Sequence, residues 1–179
     1  MAHAITTLRL LAVAPAVWAF SQPDNVSPWV LALIVVVAIV SDLVDGKVAR
    51  RTGSASAGGM LFDHTTDCLF VTAGLAGAAM AGLLPVILPV LVPVAFSQYV
   101  LDSYFLHRQR QLRMSSLGRW NGVFYFAPLV MIAIAALHLP GVSALARLLV
   151  RPSAVLLAVS TGISIVDRAV APLRVTAAR

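Results

Sequence analysis

Four aspartates stand between long apolar runs: Asp42 and Asp45 in SDLVDGKVARR, and Asp63 and Asp67 in LFDHTTD. The chain has only seven acidic residues, all aspartate, so most of its acid falls within residues 42–67. Spacings of three and four put side chains on one helix face, and each of two successive helices therefore presents a carboxylate pair. A connecting loop of about a dozen residues lets the pairs face each other. Carboxylates so close repel one another, and each loses hydration near a bilayer, where an aspartate costs at least ~2.5 kcal/mol. A positive partner must compensate. Hard oxygen ligands without histidine or cysteine suit Mg²⁺, Mn²⁺ or Ca²⁺ rather than zinc. Two such ions bridged by shared carboxylates form a clamp for the attacking and leaving oxygens of phosphoryl transfer. The same acids would also serve as the cation site of a transporter.

The surroundings favour a bulky ligand over simple ion storage. Gly46 and Ala49 follow Asp42 at i+4 and i+7, on the same face and too small to block a nucleotide. Gly59 precedes Asp63 by four residues and Asp67 by eight, so it clears the matching face if the helix extends that far back. Arg50 has the forked donors that meet a phosphate, although Arg50 and Arg51 would also serve as ordinary anchors on the cytoplasmic side. His64 is expected beside the ligands rather than among them. Asp102 and Asp167, near the ends of apolar runs, are read as interfacial or paired with arginine. Small residues in AGLAGAAMAG (73–82) read as a helix-packing surface. A single cysteine, Cys68, can form neither an internal disulfide nor a cysteine-based zinc site.

The elements that must position these groups are membrane helices. With 179 residues, 60% apolar and 11% charged, and a mean hydropathy of +0.92, the chain lies outside the composition of soluble domains. A spanning helix needs about 20 mostly apolar residues, and six stretches qualify: roughly 5–22, 28–48, 62–83, 86–106, 120–139 and 152–170. SQPDNVSP, GLLP and HLPG supply turns between them. The expected fold is all-α and integral to the membrane, one domain over 1–179 with no repeat. Lys47, Arg50, Arg51, Arg108, Arg110, Arg113, Arg119, Arg168, Arg174 and Arg179 collect on one side of the spans, which predicts both termini and the aspartates at the cytoplasmic face. Arg147 and Arg151 sit on the other side. The net charge of +6 reads as this membrane asymmetry and not as nucleic-acid binding, because no basic patch with interleaved aromatics accompanies it. RLLAVAPAVWAF has Arg9 as its only early charge and no clear A-x-A site after it, so it is read as a span and not a cleaved signal.

Written as D-x2-D-G-x2-A-R-x8-G-x3-D-x3-D, the residues Asp42, Asp45, Gly46, Ala49, Arg50, Gly59, Asp63 and Asp67 resemble the signature of the CDP-alcohol phosphotransferase family at all eight fixed positions. The resemblance implies displacement of CMP from a CDP-linked alcohol by the hydroxyl of a second alcohol, joining a head group to a lipid. It implies two divalent cations, Mg²⁺ or Mn²⁺, held by the four aspartates against the diphosphate. It makes Asp67 the base that takes the acceptor's proton. Gly46, Ala49, Arg50 and Gly59, with Ser56, would shape the cytidine diphosphate site. Arg113 or Arg119 would meet a phosphate on the acceptor. A homodimer is expected, on the family's habit and on the small-residue stripe, within a bacterial inner membrane with the site at the cytoplasmic face.

The chain also departs from that pattern. Family members often open with Asn-x-x-Thr a few residues before an arginine, and here the run is His3, Ala4, Ile5, Thr6, then Arg9; Thr6 is the surviving candidate for a donor contact. Members that use a glycerophosphate acceptor tend to read D-P-x-x-D-K, whereas Asp63 and Asp67 are followed by His64 and Cys68. DGKVARRT and LFDH are instead similar to choline and ethanolamine phosphotransferases, which take a CDP-linked head group and a lipid acceptor but are about twice as long. The short chain favours CDP-diacylglycerol as donor, with the choline or ethanolamine type as the alternative. A carboxylate-lined cation transporter is the alternative of another class, and a silent scaffold that binds CDP-lipids a third.

Overall fold

The computed structural model describes residues 2–51, 57–103 and 116–177, with side chains over 6–44, 58–103 and 117–170. The described residues form helices without strands: α1 (Ala2–Leu11), α2 (Val13–Ser21), α3 (Pro28–Arg51), α4 (Ala57–Met80), α5 (Ile87–Leu101), α6 (Ser116–Phe124), α7 (Phe126–Ala136) and α8 (Val142–Ala177). They correspond to the six apolar stretches, because α1 with α2 and α6 with α7 are broken rods. Each break has the same cause. Ala12 lies three residues before Pro15, and Tyr125 three before Pro128; a proline removes one helical hydrogen bond and crowds the carbonyl of the preceding turn. The backbone repairs itself around both points, Ala16 N bonding Ala12 O at 2.9 Å and Tyr125 N bonding Asn121 O at 2.9 Å.

The stops are equally local. Pro28 opens α3 at the position where a missing N–H costs nothing, and Ser27 O accepts from Val30 N at 2.9 Å. Gly82, at φ +73°, closes α4: Gly82 N bonds Ala79 O and Leu83 N bonds Ala78 O, each at 3.0 Å, the paired bonds of a left-handed helix cap. After α7 the chain turns at His138, a non-glycine with φ 54°. Ser143 fastens this turn, its Oγ donating to Ile134 O at 2.7 Å and accepting from Leu139 N at 2.8 Å. The largest boundary difference from the sequence reading is at α8. The last helix begins ten residues before the expected 152, so Arg147 and Arg151, read as loop charges, lie exposed on α8 itself.

Helix α4 is the centre of the bundle and packs against α1, α2, α3, α5 and α7. Its small residues make this possible. Ala73, Gly74, Gly77 and Ala78 are buried, and a Cβ placed on Gly77 would stand 2.5 Å from Val17 O and 3.1 Å from Phe20 Cβ. The small-residue stripe is therefore occupied inside the chain by α2, which corrects its use as a reason to expect a second copy there. Phe20, Leu31, Phe70, Leu75, Leu88 and Leu129 fill the core, and Phe70 stacks on Phe126 with ring centroids 6.1 Å apart. Tyr125 Oη and Thr161 Oγ1 meet at 2.8 Å, and Gln98 Nε2 donates to Ile165 O at 3.1 Å, tying α8 to the break after α6 and to α5.

The outside is as apolar as the inside. Leu33, Val36 and Val40 of α3 and Leu148, Leu156, Val159 and Ile163 of α8 are all half or more exposed, far more exposed apolar surface than a water-facing protein carries. Two helical stretches, Leu117–Ala136 and Val142–Val170, are long and apolar enough to cross a membrane, and Thr6–Ser21, Pro28–Val44 and Ile87–Leu101 are shorter apolar helices.

The close approach at Gly77 sets an expectation for stability. Gly77→Ala should cost about 1–3 kcal/mol, the usual penalty of overpacking, because its new methyl meets backbone. Gly74→Ala should cost less, since its neighbour is the end of the flexible Leu129 side chain at 2.9 Å. Thermal unfolding of both variants in mild detergent checks this; equal losses would show that the backbone approach of α2 is not the constraint.

Candidate active site

Arg9 is the residue around which the acids gather. It reaches from α1, has no exposed surface, and sits between α3 and α4. Its Nε donates to Ser41 Oγ at 3.1 Å, and Ser41 Oγ in turn donates to Ala38 O at 2.9 Å. Its Nη1 bridges two carboxylates of α4, lying 3.2 Å from Asp63 Oδ1 and hydrogen-bonded to Asp67 Oδ1. Its Nη2 lies 3.8 Å from Asp42 Oδ1 on α3. A buried guanidinium without partners would cost several kcal/mol, and so would the carboxylates without a cation. Each side of this cluster therefore makes the other tenable.

The helices set these positions by their spacing. Because α4 starts at Ala57, the condition on Gly59 is met: it stands one turn before Asp63 and two before Asp67, on one face. The threonines between the two acids turn away from the site, Thr65 Oγ1 donating to Leu61 O at 2.7 Å and Thr66 Oγ1 to Phe62 O at 2.9 Å, a back-bond to their own helix. Thr6 is buried on α1 one turn before Arg9. Asp45, Gly46, Ala49 and Arg50 belong to α3, their side chains lying outside the described part. Ser56 and Arg113 lie outside the described residues.

One guanidinium cannot neutralise three carboxylates, and the remainder suits a divalent cation. Asp63, His64 and Asp67 each offer a ligand atom, all within 4.8 Å of one another. The histidine is a difference from the sequence reading, which set it beside the ligands. Two carboxylates, an imidazole and Asp42 across from them are a donor set that Mg²⁺ or Mn²⁺ accepts, so the residues present fit a metal.

A cavity of about 470 Å³ opens against this cluster. Asp42, His64 and Asp67 border it, and so do Arg119, Asn121 and Arg168 from α6 and α8, with Ile39, Val71, Val92 and Phe126 among its apolar walls. Arg168 is held in place by Asp102, 3.6 Å away, and by the Tyr99 ring, whose centroid lies 5.5 Å from the guanidinium carbon. The structure thus brings Asp42, Asp63 and Asp67 together around Arg9 and sets Arg119 on the adjoining cavity, with Gly59 and Thr6 each one helical turn from a member of the cluster. Sequence reasoning did not single out Arg9, Ser41, Asn121 or Arg168. Of these only Arg9 left a signal, as the one charge inside the first apolar run.

Comparison with known proteins agrees with this geometry. An 85-residue stretch is 33% identical to a protein named cardiolipin synthase (CMP-forming) from Streptomyces coelicolor, covering 45% of this chain and 39% of that relative. The match thus spans about two fifths of the relative's length. No solved structure matches the chain. Residues 1–166 match the family described as CDP-alcohol phosphatidyltransferase, which takes in every helix from α1 to most of α8, and on that match the chain belongs to the CDP-alcohol phosphatidyltransferase family.

Proposed function

We propose that the protein is a membrane phosphatidyltransferase that moves a substituted phosphate from CDP-diacylglycerol to an acceptor alcohol and releases CMP, in phospholipid synthesis. The observation that carries this reading is the convergence of Asp42, Asp63 and Asp67 on one buried cation at the wall of a largely apolar cavity. Acid gathered at such a wall has a use in gripping a diphosphate through metal, and the apolar walls suit lipid chains. The relative's name, which states that CMP is formed, favours a CDP-linked donor. A transporter would need a polar path between several helices, whereas the described cavity is walled mainly by apolar side chains.

In this reading Asp42, Asp45, Asp63 and Asp67, with His64, hold two divalent cations. Bound there, the cations neutralise charge on the diphosphate and make CMP a good leaving group. Gly46, Ala49 and Gly59 leave room for the cytidine diphosphate against bare helix, with Arg50, Ser56 and Thr6 as polar contacts. Asp67 accepts the proton of the acceptor hydroxyl as its oxygen attacks the phosphorus next to the diacylglycerol. The phosphorus–oxygen bond to CMP breaks, and a phosphodiester joins the two alcohols. Arg119, or Arg113, meets a phosphate on the acceptor. Attack at phosphorus needs alignment and charge neutralisation more than covalent help, and rigid helices carrying every acid provide the alignment. The protein would cross the membrane six times, with both termini and the metal site at the cytoplasmic face of a bacterial inner membrane. Association of two copies would use a face other than the stripe that α2 covers.

Four measurements test the reading. Purified protein with Mg²⁺ or Mn²⁺ should release CMP from CDP-diacylglycerol when given an acceptor, and release from CDP-choline or CDP-ethanolamine instead would move it to the head-group-transferring class. Asp67→Asn should lower that rate by roughly 10²-fold or more, the usual contribution of a positioned base; a fully active variant would remove Asp67 from that role.

Chelation should stop turnover, with Mg²⁺ or Mn²⁺ restoring it and Ca²⁺, whose coordination is looser, restoring little. Turnover that persists in chelator would remove the metals from the reaction.

Arg9→Gln should lower the unfolding midpoint most in chelator, because it leaves the half-buried carboxylates of Asp63 and Asp67 without their cation. Added Mn²⁺ should recover much of the loss. A midpoint that ignores Mn²⁺ would show that arginine and metal do not share these acids.

A further inference from the structure

Asn121 is a polar side chain in an apolar setting that the reaction described above does not use. It is 4% exposed, borders the cavity, and its two amide atoms have different fates. Oδ1 accepts from Ser160 Oγ of α8 at 2.8 Å. Nδ2 is buried and has no hydrogen-bond partner among the described residues. A buried donor left without an acceptor is costly, and native proteins seldom keep one without a use for it.

The charges beside it indicate what the use is. Arg119 and Arg168 border the same cavity, so an acceptor of hydrogen bonds arriving next to Asn121 enters a positive neighbourhood and is best matched by an anion. Asn121 lies on α6, which packs chiefly against α7 and α8 and not on α3 and α4, where the aspartates that would take the donor's diphosphate stand. The geometry points to Asn121 as an acceptor-binding residue: its Nδ2 donates to a phosphate oxygen carried by the acceptor alcohol, while Ser160 holds the amide in that orientation. This rests on the transferase reading above. A neutral amide adds direction where the arginines add charge, and it is therefore the group that distinguishes a phosphorylated acceptor from a bare polyol.

The test is steady-state CMP release by full-length protein in mixed micelles, with three acceptors: glycerol, glycerol 3-phosphate and phosphatidylglycerol. Asn121→Leu should raise the KM of the phosphate-bearing acceptor roughly tenfold or more, as expected for a lost hydrogen bond to a charged group. The KM of the CDP-linked donor should stay unchanged, and the loss with glycerol should be clearly smaller than with the phosphate-bearing acceptor. Asn121→Asp should be worse than Asn121→Leu because it sets a carboxylate against the phosphate, and Ser160→Ala should fall between wild type and Asn121→Leu. Whether the effect appears with the soluble or the lipid phosphate identifies which one the site takes. If Asn121→Leu does not fold, the aspartate and Ser160→Ala variants still carry the comparison through the same KM.

An acceptor KM unmoved by these variants, an equal loss with glycerol, or Asn121→Asp outperforming Asn121→Leu would each overturn the assignment while leaving the transferase reading intact. Wild-type protein that releases no CMP from any donor would defeat both.

Discussion

A charge buried among charges organises this molecule. Arg9 has no contact with solvent, and its guanidinium is shared among Asp42, Asp63 and Asp67 while its Nε is tied to Ser41. Neither the cation nor the acids would be stable in a low-dielectric bundle alone. Together they join α1, α3 and α4 at one level, across separations of 32, 54 and 58 residues. The joint is incomplete by design of its charges, since one cation faces several acids. That imbalance is what leaves room for metal, and it explains why the acids can be gathered before any ligand arrives.

The scaffold around the joint depends on backbones that come unusually close and rods that bend at chosen points. Gly77 admits the α2 backbone to the surface of α4, which draws the first rod onto the central helix. The bend three residues before Pro15 then separates α2, whose backbone lies against Gly77, from α1, which carries Arg9 to α3 and to the acids of α4. The second bend, three residues before Pro128, separates the core half of its rod, with Leu129 and Ile132 buried, from α6, where Arg119 and Asn121 border the cavity. In a membrane, such bends are tolerable where the flanking backbone stays paired, and the hydrogen bonds at Ala12, Ala16 and Tyr125 keep the helices regular on either side.

What could be read from the sequence followed from local rules. The aspartate spacing, the turn signals and the length of the apolar runs act over a few residues, and they placed the acid pairs and the six rods. The family signature added the chemistry. Arg9 was not legible as a site residue because its partners are distant in sequence, and a lone arginine in an apolar run reads equally as an anchor. Asn121 was missed for a related reason: a polar residue in WNGVF has no pattern, and only its contact with Ser160 shows that half of its amide is engaged. The start of α8 was misplaced because Arg147 and Arg151 look like loop charges until a long helix is seen to carry them on its surface. The small-residue stripe was read rightly as packing but could not say which helix it packs against.

The walls of the cavity beside Asp67 have a bearing on fidelity. Any group able to activate an alcohol for attack at phosphorus can also activate water, which in bulk solution is present at far higher concentration. Residues such as Ile39, Val71, Val92 and Phe126 at that boundary make the neighbourhood a poor place for water to linger, and closing a site to solvent also strengthens the electrostatics inside it. In the reaction proposed here, hydrolysis of the nucleotide-linked lipid would be a wasteful side path, and the greasy lining suppresses it by the same means that admits the lipid.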